Sequence, residues 1–209
     1  PELTEEEKES VRILCRDTWH FFEKHVHSRT FFLPPDNVQL NPEKGPALRP
    51  SPTNIGLYLL SALAAREMGI ITSAQMARRM LDTVETLEKM EKWQGHLYNW
   101  YDLNTLNPLS PKFVSTMDSG NLCGCLMACA QGVRAHLTEL GDAFHSLPER
   151  LDHLAKGMNF RKLYDPDLSL FFIGFDAEAN AHAPSHYDLL ASECRLTSFI
   201  AVMQRQGPL

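Results

Sequence analysis

No apolar run in this sequence is long enough to span a bilayer. The longest, over residues 55–65, falls well short of the roughly 20 residues a membrane helix needs. Nor is there an excess of basic residues. A formal net charge of −6 gives no electrostatic footprint for nucleic acid or an anionic membrane. The five cysteines contain no CxxC pair, which removes the usual zinc knuckle. Cys123, Cys125 and Cys129 instead crowd one helical stretch, the last two a turn apart, and read as buried thiols suited to a reducing compartment. The nine histidines form no ligand set: His25 with His27, and His182 with His186 across Pro184, each lack a third partner. No Gly-rich phosphate loop and no GxSxG elbow occur. The sequence therefore points to no metal, no cofactor and no Ser/His/Asp chemistry.

What is present is a globular composition, 44% hydrophobic and 22% charged over 209 residues, enough for one domain covering the whole chain. The chain opens on Pro1 without a signal peptide, which predicts a piece of a longer polypeptide. Helical spacing predicts helices over 4–26, 54–68, 73–93, 119–139, 147–158 and 185–206. Thr4 with Glu7 reads as a capping box, and Gly69 as a stop. The fourth helix is apolar or small almost all round and should be buried on most sides. Residues 31–52 hold six prolines and read as a long irregular loop. Residues 95–117 are aromatic and polar without helical period, and 163–175 read as a hairpin turning at 165–167. The expected architecture is all-α, helical hairpin after helical hairpin with small β-hairpin insertions.

Three polar, aromatic stretches sit at the same kind of position, in loops or just where a helix begins: residues 51–56, 95–102 and 114–122. Tyr98, Trp100 and Tyr101 offer flat apolar faces for pyranose rings. Asn54, Asn99, Asp102, Asp118 and Asn121 offer hydrogen-bond partners for hydroxyls. Each has a plainer reading: Asn54, Asp118 and Ser119 as helix caps, Trp100 and Tyr101 as the packed core of a loop. Glu193 stands out within the last expected helix, where spacing places Leu189, Leu190, Leu196, Thr197 and Ile200 around it. A carboxylate in such a setting must find a partner or take up a proton, and burial suits it to general acid work. The plainer reading is a buried ion pair. Asp188 reads as a favourable charge near the helix start.

Five runs then resemble one known family: LPPDN at 33–37, RPSPTNIGLYLL at 49–60, GHLYNWYD at 95–102, VSTMDSGNL at 114–122 and YDLLASE at 187–193. In this order they are similar to the glucoamylase-like, transglycosylase region of bacterial cyclic β-1,2-glucan synthases. The resemblance implies an α/α toroid of helical hairpins, of which this chain would be an incomplete half. It implies a β-1,2-glucan chain as substrate, cleaved and rejoined into a ring by retaining transglycosylation. It also implies a large parent enzyme on the cytoplasmic face of the bacterial inner membrane, whose other domains build and trim the chain and are this segment's partners. In a retaining reaction one carboxylic acid protonates the leaving oxygen and a second carboxylate, about 5–5.5 Å away, attacks. The acid/base of the family's LASE motif falls on Glu193, and the nucleophile is expected beyond Leu209. Asn54, Tyr98, Trp100, Tyr101, Asp102, Asp118, Asn121, Tyr187 and Asp188 would contact the sugar. The isolated chain is expected to hold sugar without turning it over. A glucan hydrolase of the same fold and a non-catalytic glucan-binding module are the alternatives.

Overall fold

Three helices begin with the same device. In the computed structural model, which describes residues 2–188 and 193–206, α1 (Glu5–His25), α2 (Pro52–Glu67) and α3 (Ser73–Lys89) each open on a reciprocal capping box. Thr4 with Glu7, Ser51 with Asn54, and Thr72 with Gln75 each satisfy two backbone N–H groups that a helix start otherwise leaves unpaired. Pro52, at the first helical position of α2, loses no hydrogen bond there. For that reason α2 starts before residue 54.

The remaining helices are α4 (Thr116–Ala135), α5 (Leu147–Gly157) and α6 (Arg195–Met203). Helix α4 lies between α2 and α6 with α5 packed behind it, α3 lies against α2 and α5, and α1 covers α2. The helices therefore form two rows, α2-α4-α6 and α1-α3-α5, and the fold is all-α, an arc of an α/α toroid. As expected of a helix apolar all round, α4 buries residues from Leu122 to Val133, including Cys123, Cys125 and Cys129. None of the five cysteines is in a disulfide. Burial pushes the Cys123 thiol up to about 12 and that of Cys125 up to about 11, so both stay protonated. Close approach along α4 depends on glycine. A Cβ on Gly120 would overlap Thr197 Oγ1 of α6, and one on Gly56 of α2 would sit 3.1 Å from Cys125 Cβ.

Strands fill what the sequence reads as loops. A small hairpin, β1 (Val38–Leu40) with β2 (Glu43–Pro46), lies inside the proline-rich segment. Before it, Phe31 and Phe32 adopt left-handed backbone (φ 53° and 57°). Their carbonyls accept hydrogen bonds from Thr86 Oγ1 (2.7 Å) and Thr83 Oγ1 (2.9 Å) on α3. The aromatic stretch supplies β3 (Asn99–Tyr101) and β4 (Pro108–Ser115), and β4 runs directly into α4. The expected 163–175 hairpin is present as β5 (Tyr164–Asp165) and β6 (Leu170–Phe171). Strands β7 (Gly174–Asp176) and β8 (Ala181–His182) complete an antiparallel sheet in the order β3-β4-β7-β8.

The last helix departs most from expectation. It begins at Arg195 rather than 185, because residues 185–187 are held in extended pairing. Ile173 N–H donates to Ser185 O, and Tyr187 N–H donates to Phe171 O, each at 2.9 Å. No helix among the described residues is long and apolar enough to cross a membrane.

Candidate functional site

Helices α2 and α4 start side by side, so their first turns face each other. Ser115, the last residue of β4, is the N-cap of α4, its Oγ accepting from Asp118 N–H at 3.2 Å. Asp118 therefore stands one turn in and is not the cap that its sequence position suggested; neither is Ser119. Its carboxylate is buried (8% exposed). Thr53 Oγ1, from the first turn of α2, donates to Asp118 Oδ1 at 2.5 Å. Asn99 Nδ2, from β3, donates to Asp118 Oδ2 at 2.9 Å. Asn121 Nδ2, one turn further along α4, donates to Thr53 Oγ1 at 3.1 Å. Two helices and one strand thus converge on a single carboxylate at a helix N-terminus, where its charge is favoured.

Among the described residues, Asn99 Oδ1 is buried without a hydrogen-bond partner, and so are Trp100 Nε1 and Ser119 Oγ, on the residues that follow Asn99 and Asp118 in sequence. An unpartnered buried polar group costs about 1–3 kcal/mol, so each calls for a partner such as an ordered water or a ligand group. Trp100 is half-buried, with the Arg49 guanidinium 4.8 Å from its ring centroid. Asn54 is spent on its helix start, its Oδ1 accepting from Ser51 N–H (2.8 Å) and Ser51 Oγ (2.7 Å).

Tyr98 and Tyr101 do not offer the sugar-stacking faces expected of them. They are 4% and 0% exposed, and Tyr101 Oη donates to Glu91 O (2.6 Å) while accepting from Tyr98 N–H (3.0 Å). They anchor the loop that presents Trp100. Asp102 turns into its own loop, where Oδ1 accepts from Asn104 N–H and Nδ2, each at 2.8 Å. The Asn104 backbone bond, with the side-chain bonds behind it, holds this carboxyl below the usual carboxylate range.

Glu193 is not buried among apolar neighbours. It is exposed, in a turn two residues ahead of α6, so the burial on which its expected role rested is absent. Leu189 and Leu190, two of the neighbours named for it, lie outside the described residues. Leu196 is 41% exposed, while Thr197 and Ile200 face inward. Glu193 nonetheless belongs to the same region as Asp118. Burial first, then Cys194 and Asp118, and lastly Glu193 push the Tyr187 phenol up, against a hydrogen bond with Ser115. The phenol therefore remains a proton donor, with both carboxylates within electrostatic reach. Asp188 is exposed beside it. Thr53, Ser115 and Arg49 were not picked out from the sequence. Thr53 lies inside one of the polar stretches, and the signal that could have found it is the parallel start of two neighbouring helices.

Residues 14–118, which carry Thr53, Asn99, Trp100 and Asp118, match a family model described as a protein of unknown function, DUF3131. The chain is 40% identical over 163 residues to the cyclic β-(1,2)-glucan synthase NdvB of Rhizobium meliloti (strain 1021), an alignment covering 73% of this chain and 6% of that protein. An endo-β-1,2-glucanase from Chitinophaga pinensis, solved with sophorotriose and glucose, superposes with a TM-score of 0.76 at 15% identity, over 100% of this chain and 49% of its own. A β-1,2-glucanase from Parabacteroides distasonis superposes with a TM-score of 0.77 at 16% identity, over 99% of this chain and 29% of its own. At these identities the two superpositions establish the fold. The chain spans only a small part of the synthase and half or less of the two glucanases. It belongs to the DUF3131 family and is similar in sequence to a segment of cyclic β-1,2-glucan synthase.

Proposed function

We propose that this chain is the part of a carbohydrate-active enzyme that holds a β-1,2-glucan chain across the first turns of α2 and α4. The observation that carries this reading is the buried Asp118 carboxylate, fixed from two sides by Thr53 and Asn99 beside Trp100 and the unpartnered buried groups. Rigid acceptors next to an indole suit a neutral ring with many hydroxyls. The similarity to a glucan synthase segment names the sugar class. Isothermal titration of the chain with a linear β-1,2-glucooligosaccharide tests it: saturable binding, lost in Trp100→Ala, is the expected result. Equal binding by that variant, or none by the wild type, overturns it.

The finer reading is retaining transglycosylation, with Glu193 as acid/base and the attacking carboxylate supplied by chain outside these 209 residues. An exposed Glu193 within electrostatic reach of Tyr187 can serve if the sugar, or further chain, covers it and supplies the desolvation that raises a general acid's pKa. On this reading the chain works within a larger membrane-bound synthase at its cytoplasmic face and does not turn glucan over alone. Glu193→Gln in the complete enzyme should then cut the rate by orders of magnitude and leave glucan affinity in place. Hydrolysis is the second reading, favoured by the two glucanases of the same fold. Cyclic products from the complete enzyme support the first, linear products alone the second.

A further inference from the structure

We propose that Thr53 is the positioning residue of the carbohydrate site. It fixes the hydrogen-bond polarity of Asp118 and Asn121 so that both present acceptors to the hydroxyls of a neutral sugar. This rests on the carbohydrate reading above and adds to it the residue that makes the site selective.

A threonine hydroxyl has one proton. Thr53 gives it to Asp118 Oδ1 at 2.5 Å, so its oxygen is left to accept, and Asn121 Nδ2 donates to it at 3.1 Å. Asn121 thereby commits an amide hydrogen to Thr53 and keeps its carbonyl oxygen for another partner. Asn99 is set in the same sense from the opposite side, its Nδ2 donating to Asp118 Oδ2 at 2.9 Å and its Oδ1 left buried without a partner. The Asn99 and Asn121 amides therefore each commit a hydrogen to the Asp118–Thr53 pair through Nδ2, which leaves their oxygens as acceptors. Such an array takes hydroxyl donors and repels phosphate or carboxylate groups. Thr53 is the hinge of this ordering, because it is both the donor to Asp118 and the acceptor from Asn121.

A role confined to joining the two helices would make different demands. The α2–α4 contact is already set by Gly56 against Cys125 and Leu122, and the α2 start is closed by Ser51 and Asn54. Thr53→Val keeps the shape and removes both hydrogen bonds. Thr53→Ser keeps both bonds, and Thr53→Ala provides a second loss should valine not be tolerated.

Two measurements decide the matter. In calorimetric titrations with a linear β-1,2-glucooligosaccharide, Thr53→Val should bind about 10-fold more weakly or worse while still folded at the titration temperature, its melting temperature lowered because the buried Asp118 carboxylate loses a donor. Thr53→Ser should restore affinity to within about threefold of wild type. In the ligand-free protein, NMR should show faster solvent exchange of the Asn121 side-chain amide in Thr53→Val and Thr53→Ala than in wild type or Thr53→Ser. Wild-type affinity in the valine variant, failure of serine to restore it, or unchanged Asn121 exchange overturns the proposal. If the wild type binds no glucan, the carbohydrate reading fails, and the exchange measurement still decides whether Thr53 orders the cluster.

Discussion

The Asn99 side-chain amide donates to Asp118 Oδ2 at 2.9 Å, tying β3 to the first turn of α4 across nineteen residues of sequence. Asp118→Asn keeps the shape and loses one acceptor oxygen, so either Thr53 or Asn99 then faces an amide NH2. A buried donor left without its acceptor costs about 1–3 kcal/mol. The variant should unfold at correspondingly lower urea concentration, with glucan binding weakened about 10-fold or more. Wild-type stability together with wild-type affinity would contradict the assigned network.

His96 gives the fold a pH dependence. The ring is fully buried, edge-on to Phe160 at 5.0 Å. Burial pushes the imidazole down from 6.5 to about 4, opposed only in part by the Asn159 backbone. The folded state therefore favours the neutral ring, while the unfolded chain takes up a proton as pH falls below 6.5. The stability contributed is present above that value and is lost progressively as pH drops toward about 4. His96→Leu should flatten this segment of a stability–pH curve from urea titrations. An unchanged slope would show that His96 is not the group responsible.

At Gly120, a methyl group would overlap the Thr197 hydroxyl of α6. Thr197 Oγ1 also donates to Thr116 O at 3.2 Å, so α6 is pinned at the start of α4. Gly120→Ala should push α6 away at a cost of about 1–3 kcal/mol, read by thermal unfolding. Faster hydrogen exchange should be confined to α6, whereas an even loss of protection across all helices would contradict this placement.

Thr86 holds the left-handed Phe31 carbonyl at 2.7 Å. Thr86→Val should cost about 1 kcal/mol and loosen backbone protection around residues 30–33 without touching the α4 start. A variant as stable as wild type would show that the loop holds itself.

Much of this fold was legible because it rests on local chemistry. The Thr4–Glu7 box, the Gly69 stop and the apolar girdle of α4 all sit where sequence spacing places them. Boundaries failed where tertiary hydrogen bonds overrode helical period. The clearest case is 185–187, which the backbone groups of Phe171 and Ile173 draw into extended pairing, so the helix expected there begins at Arg195. That shift removes the apolar setting expected for Glu193. Tyr98 and Tyr101 misled for a related reason. An aromatic in a polar loop reads the same whether it faces solvent or the core, and the burial of both rings with the Tyr101–Glu91 bond reveals the inward side. Asp118 was visible as a candidate, but its partners Thr53 and Asn99 come from other elements, and nothing local in the sequence pairs them.

The most direct test is a 1H–15N NMR titration of the wild-type chain with a linear β-1,2-glucooligosaccharide, following the Trp100 indole and the Asn99 and Asn121 side-chain amides. Saturable shifts centred on these three signals, with affinity about 10-fold weaker or worse in Asp118→Asn, are the expected result. Saturable shifts that leave these signals unmoved, or that keep wild-type affinity in Asp118→Asn, would contradict a sugar site at the first turns of α2 and α4.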